Sequence, residues 1–257
     1  MFIGDHWAVE LDGFAKAYAT GWGARASPVI EGVTLKLAQG LVLGLLGPNG
    51  SGKTTTLKAL AGLVRPTAGH CRIMGQPAGS DAARSLVGYL PESVRFATHQ
   101  TGTEFLRYCA GLSSLPAERA AARVKAVLAW AGLGGVAARR IATYSKGMLQ
   151  RLGLAQAVLH EPQVVLLDEP TNGLDPEGRL AVVRLIRELA GQGCAVVLTS
   201  HLLAHAEEMC DRLALLGRGH LLACGPTAEI LGRFDGPPPS GQSRLEEVYL
   251  EKLHGRL

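Results

Sequence analysis

Gly47-Pro48-Asn49-Gly50-Ser51-Gly52-Lys53-Thr54-Thr55 is the stretch around which the rest of the chain is organised. An apolar run of strand length, Leu41-Val42-Leu43-Gly44-Leu45-Leu46, precedes it. After it, Thr54 to Val64 predicts a helix, with Leu57, Leu60, Ala61 and Val64 at helical spacing. A strand, Gly-x-x-x-x-Gly-Lys-Thr and a helix, in that order, make a phosphate-binding loop in the context it requires. The chemistry explains the residue types. Glycines let the backbone wrap a polyphosphate so that successive N–H groups point at it. The helix that follows turns its positive dipole end to the same anion. Lys53 supplies a point charge for the β- and γ-phosphates, and the Thr54 hydroxyl can sit on Mg²⁺.

Downstream, Val164-Val165-Leu166-Leu167 is a continuous apolar run, the mark of a strand buried on both faces. It ends in Asp168-Glu169-Pro170-Thr171. Beside a bound nucleotide the two carboxylates have distinct tasks. Asp168 can hold Mg²⁺ directly or through water, and Glu169 can orient and deprotonate an attacking water.

Between these motifs the chain changes character. Residues 7–46 alternate short strands and turns: Ala8–Leu11 and Val33–Leu37 have period-two patterning, and Ala19–Pro28 reads as a loop. A small antiparallel sheet is expected here, resumed over Gly69–Gly75. Residues 103 to about 160 read as a helical insertion. It contains one helix from Pro116 to Ala131 and another from Lys146 to Leu159, capped by Ser145. The α/β pattern then returns. Asp175-Pro176-Glu177 opens a helix that runs to Ala190, Cys194–Thr199 is a buried strand, and Leu202–Cys210 is a helix. Arg212–Cys224 reads as a hairpin, and after a Pro-rich linker Leu245–Leu253 forms a last helix.

Bulk properties narrow the class. With 257 residues, 47% hydrophobic and 19% charged, the chain is globular and long enough for a large core. No apolar run approaches the ~18–20 residues that span a bilayer, and Met1–His6 lacks the pattern of a signal peptide. Five scattered cysteines without a C-x-x-C pair point to a reducing compartment, so a cytoplasmic chain is expected. The formal charge of +4 is mild, and no basic run or aromatic interleaving suggests a nucleic-acid partner.

Five motifs together carry a family resemblance. Gly47–Thr55, Tyr144-Ser145-Lys146-Gly147-Met148, Leu167–Thr171, Asn172-Gly173-Leu174-Asp175 and Thr199-Ser200-His201 stand in the order and spacing of an ABC-transporter ATP-binding subunit. The resemblance covers about residues 7–230, with residues 103–160 as a helical subdomain and 231–257 as a linker and terminal helix. It implies an α/β fold, that of a P-loop NTPase with a RecA-like core, an antiparallel β-subdomain and a helical insertion. It implies ATP bound by Gly47, Pro48, Asn49, Gly50, Ser51, Gly52, Lys53, Thr54 and Thr55, with Tyr18 stacked on the adenine and Trp22 as the competing aromatic. Glu169 resembles the catalytic base and His201 the histidine that contacts the γ-phosphate. Ser145, Lys146 and Gly147 resemble the signature that serves a partner's ATP, and Asp175 the residue that crosses the dimer interface. Thr54, Asp168 and Glu92 are the Mg²⁺ candidates.

The working unit implied is a head-to-tail pair with a second ATP-binding subunit, a homodimer. It would lie on the cytoplasmic face of the membrane and drive a separate transmembrane permease.

The chain departs from the family pattern in two motifs. Lys146 and Met148 stand where the usual signature has Gly and Gln, and Glu92 stands where the family commonly has Gln. A cation at a helix N-terminus opposes the macrodipole by about 0.3–1 kcal/mol, but beside a partner's γ-phosphate the sign reverses. Lys146 is therefore expected to strengthen the closed, ATP-loaded pair. These departures, with Leu245–Leu250, resemble the branch that serves ABC-2-type membrane subunits, mostly exporters. A narrower resemblance is to the ATPase of a copper-maturation system for nitrous-oxide reductase. The alternative from another class is a soluble ABC-type ATPase acting on ribosomes or DNA.

Overall fold

The computed structural model describes residues 7–19, 26–113, 115–201, 203–232 and 243–254. The first part of the chain forms β1 (Val9–Tyr18), β2 (Ser27–Leu37), β3 (Val42–Leu46), α1 (Lys53–Leu60), β4 (Ala68–Ile73) and β5 (Gln76–Pro77). Next come α2 (Asp81–Arg84), β6 (Val87–Leu90), α3 (Gly102–Leu112), α4 (Ala117–Trp130) and α5 (Lys146–Ala157). The last part holds β7 (Val164–Leu167), α6 (Pro176–Gly191), β8 (Ala195–Ser200), α7 (Leu203–Met209), β9 (Arg212–Gly217) and β10 (His220–Pro226). Two short helices, α8 (Thr227–Leu231) and α9 (Arg244–His254), complete it.

Among the described residues two sheets form. One is antiparallel, in the order β2-β1-β4-β5, and the other has the order β10-β9-β3-β8-β7-β6. In the second, β9, β3, β8, β7 and β6 run parallel. Every residue of β3, β7 and β8 is buried, as central parallel strands covered on both faces must be. Their side chains alternate between two cores. Val165, Leu167, Val196 and Leu198 face a core built with α3 to α7 and α9. Val164, Leu166, Ala195 and Val197 face one built with α1 and the antiparallel sheet. The parallel register sets Leu46 beside Ser200 and Leu167 beside Leu198, so three strands end together. Ligands of open α/β sheets bind at such carboxyl ends.

Several element limits differ from the sequence reading, each for a local reason. The helix expected to reach Val64 ends at Leu60. There Gly62 takes φ +71°, Leu63 N–H returns to the Lys58 carbonyl at 2.9 Å and Gly62 N–H to the Ala59 carbonyl at 3.0 Å. This is a Schellman stop. The strand expected over Ala8–Leu11 continues to Tyr18. A register shift between Leu11 and Phe14, where Gly13 has φ +56°, breaks the alternation by which a strand is read in sequence. Likewise β2 begins at Ser27, so Ser27 and Pro28 are strand rather than loop. The helical insertion holds one helix without individual limits in the sequence reading, α3, started by a reciprocal capping box of Thr101 and Glu104. Helix α9 buries Leu245 and Val248 in the core shared with α7 and α8, so the terminal helix expected beyond residue 230 belongs to the packed unit.

At the opposite end of the sheet, Asp211 ties three elements together. One oxygen accepts the Val42 N–H of β3 at 2.8 Å, and the other takes Arg187 of α6 at 2.7 Å. Asp211→Ala leaves a central-strand amide without its acceptor and is expected to destabilise the fold by about 1–3 kcal/mol. A lower urea midpoint with an unchanged m-value would show it; an unaltered midpoint would refute it.

Candidate functional site

The phosphate loop joins the end of β3 to the start of α1. Two of its glycines are required by what lies behind the loop. A Cβ on Gly47 would collide with the Leu216 carbonyl oxygen, and one on Gly52, at φ +100°, would collide with Ile30. The loop is thus pressed against β9 and β2 while its inner face stays open. Ser51 Oγ is buried without a hydrogen-bond partner among the described residues.

Lys53, the first residue of α1, is buried. Its ammonium donates to the Gly47 carbonyl at 2.7 Å and the Pro48 carbonyl at 3.1 Å, and stands 3.8 Å from Glu169 Oε1. Burial lowers its pKa, and the negative charges of Glu169, Asp168 and Glu92 work against that shift. The cation is held by carboxylates and turned-in carbonyls, a position from which phosphate oxygens can take it over.

Asp168 and Glu169 leave the end of β7. Thr54 Oγ1 donates to Asp168 Oδ1 at 3.1 Å, so the two oxygens expected to serve Mg²⁺ are adjacent. Glu92, in the loop after β6, lines the same cleft. Few protein oxygens, with phosphates and water for the rest, suit the small octahedral shell of Mg²⁺. The Asp168 charge, after burial itself, also helps push the neighbouring Tyr89 phenol up to about 12.

Glu169 adopts φ +50°, in the left-handed region that non-glycine residues seldom enter. This turn brings its carboxylate back over the loop. Oε2 lies 2.9 Å from His201 Nδ1, and Oε1 faces Lys53. An ionised carboxylate only accepts, so His201 Nδ1 carries the proton in this pair. The cleft, of about 430 Å³, is lined by Asn49, Gly50, Gly52, Lys53, Thr54, Thr55, Glu92, Glu169, Asn172 and His201, with Val29.

Tyr18 ends β1 with 40% of its surface exposed, and the Lys16 ammonium sits 4.8 Å from its ring centroid. It does not line the cleft that holds Lys53 and Glu169. Trp22 lies outside the described residues.

The signature residues stand elsewhere. Ser145 caps α5, its Oγ accepting the Met148 N–H at 3.3 Å, with Lys146 and Gly147 in the first turn. They line a second cleft, of about 510 Å³, with Gly173, Asp175 and Gly178. Asp175 caps α6 through Gly178 N–H at 2.8 Å. Lys146 also lines a smaller cavity with Glu92, Glu169 and Asn172, and its ammonium rests on Gly173, whose φ is +64°. One residue central to this geometry, Thr199, has no role assigned to it by the sequence, where its signal is its place in the Thr199-Ser200-His201 motif.

Comparison with known proteins bears on the family and the fold. Residues 30–172 match the ABC transporter family. An ABC transporter ATP-binding protein of Synechocystis is 42% identical over 231 residues, 89% of this chain and 65% of the relative. The chain therefore spans just under two thirds of that relative's length. The daunorubicin/doxorubicin resistance ATP-binding protein of Streptomyces peucetius is 37% identical over 225 residues, 87% of this chain and 66% of that one. A solved ATP-binding subunit of an ABC transporter superposes with a TM-score of 0.80 at 30% identity, covering 95% of this chain and 99% of its own. By motif order, fold and similarity, the chain belongs to the ABC transporter family and has the fold of its ATP-binding subunits.

Proposed function

We propose that the chain is the ATP-hydrolysing subunit of an exporter, working as a head-to-tail homodimer on a separate ABC-2-type permease at the cytoplasmic face of a membrane. The observation that carries the dimer is the division of the site. Within one chain the phosphate loop and the signature line different clefts. Ser145 and Gly147, at a helix N-terminus suited to an anion, then need a second subunit's ATP to act on. Export rests on the name of a relative in Paraburkholderia xenovorans, 35% identical over 226 residues, a Nod factor export ATP-binding protein. Among the described residues no helix is long and apolar enough to cross a membrane. The readings of a ribosome- or DNA-directed ATPase and of a copper-maturation ATPase draw no support from the relatives.

In the proposed mechanism Lys53 and the loop amides hold the β- and γ-phosphates. Mg²⁺, held by Thr54 and Asp168 with Glu92 near, would offset phosphate charge when bound. Glu169 takes the proton of the attacking water, and His201 keeps the carboxylate aimed at it. Hydrolysis and phosphate loss then separate the pair and move the permease between two states.

The test is the mass in solution of the Glu169→Gln variant with ATP and with ADP. A dimer with ATP alone is the expected result; a monomer under both conditions would argue against ATP-driven closure. Adding Lys146→Gly should weaken that dimer, because a cation facing the partner's γ-phosphate is lost. Equal or tighter association would remove Lys146 from the interface.

A further inference from the structure

We infer that Thr199 is the positioning residue that sets the water-activating carboxylate, holding Glu169 in its left-handed turn and locking it to Asp168. The inference rests on the proposal that Glu169 is the base. Thr199 is the penultimate residue of β8 and has no exposed surface. Parallel pairing of β7 with β8 places it beside the end of β7. Its hydroxyl donates to Asp168 Oδ1 at 2.7 Å and accepts the Glu169 N–H at 2.8 Å.

The direction of both bonds follows from the groups involved. An ionised carboxylate can only accept and a backbone N–H can only donate, while a hydroxyl has one proton and free lone pairs. Thr199 is the residue type that joins the two with both sides satisfied. Serine would join them too, but β-branching restricts the threonine rotamer and keeps the hydroxyl in place.

The consequence lies at Glu169. With φ at +50°, its backbone is in a conformation that costs a non-glycine residue energy and needs support from its surroundings. The Glu169 N–H points back into the sheet, and the Thr199 oxygen is its acceptor. Remove that oxygen and the amide has reason to turn toward another acceptor, which rotates the peptide and swings the carboxylate from His201 and Lys53. Asp168 is less dependent, because Thr54 also donates to the same Oδ1. The loss should therefore fall on the chemical step rather than on nucleotide binding.

Thr199→Val keeps the shape and deletes the hydroxyl, and Thr199→Ser keeps the hydroxyl. In steady-state ATP hydrolysis by the full chain, the valine variant is expected to lose about 10- to 100-fold in kcat with KM and equilibrium ATP affinity within about twofold. The serine variant should stay within about threefold of the parent. Thr199→Ala, which adds no volume, gives the same readout should the valine chain not fold. On the Glu169→Gln background, Thr199→Val should cost little further rate, because it acts through the group already removed.

Parental kcat in the variants lacking the hydroxyl, a serine variant as impaired as valine, or a full additional loss on the glutamine background would each overturn the role of Thr199. Parental turnover by Glu169→Gln itself would instead overturn the assignment of the base. The two failures are thereby distinguishable.

Discussion

Glu169→Gln is expected to lower ATP hydrolysis by about 10²- to 10⁴-fold while nucleotide still binds, the range a positioned general base contributes. The side chain keeps its length, so the walls of the cleft are preserved. What changes is basicity: an amide oxygen cannot take the proton of an attacking water at neutral pH. The local pairing changes as well. Oε2 of the carboxylate sits 2.9 Å from the proton-bearing His201 Nδ1, and an amide nitrogen there would set donor against donor. The glutamine must therefore present its oxygen to His201 and its nitrogen toward Lys53, whose ammonium stood 3.8 Å from Oε1. That removes a negative charge from beside Lys53 and leaves more of its cation for phosphate, so ATP affinity should hold or rise. Phosphate release and equilibrium nucleotide binding measured on the same preparation decide the matter. Turnover within about threefold of the parent would exclude Glu169 as the base.

Lys53→Ala should have the opposite signature, losing binding before chemistry. Lys53 is a buried cation, and Glu169, Asp168 and Glu92 all act on it as negative charges. Truncation leaves Asp168 and Glu169, both shielded from solvent, without their counter-charge and then asks the same cleft to accept a polyanion. Removing one partner of a buried, hydrogen-bonded charge pair costs about 2–5 kcal/mol. At 1.4 kcal/mol per decade this corresponds to about 30- to 4,000-fold in ATP affinity. Isothermal titration with ATP tests this directly, and Lys53→Arg separates charge from shape. Arginine restores the charge, but its fork is wider than the space Lys53 occupies against the Gly47 and Pro48 carbonyls. Only slight recovery is expected. ATP affinity within about fivefold of the parent in Lys53→Ala would refute the role of the lysine.

Much of this site was legible in the sequence because its signals are short-range. A strand, a glycine-bearing loop and a helix start occur within twenty residues of one another, so the phosphate loop reads as a unit. Ser145 and Asp175 each bond to a backbone N–H three residues on, and both helix starts were read where they stand. The apolar run Val164–Leu167 marked a buried parallel strand, and that strand has the same limits in the structure. Where a bulge shifted the alternation, at Gly13, the pattern was lost although the strand continued.

Tertiary structure alone decided the rest, because parallel pairing joins residues that no local periodicity links. Thr199 meets Asp168 and Glu169 from 31 and 30 residues away, and Thr54 reaches Asp168 across 114. The left-handed turn of Glu169 has no signature in its side chain, since that conformation is held by a bond from another strand. Gly47 reads as a glycine for phosphate, yet the Leu216 carbonyl behind it forbids a side chain there. Lys146 reads as a charge at a helix start, and only the fold rests it on Gly173 between two clefts. Residue types specified the chemistry; the meeting of three strand ends specified where each charge points.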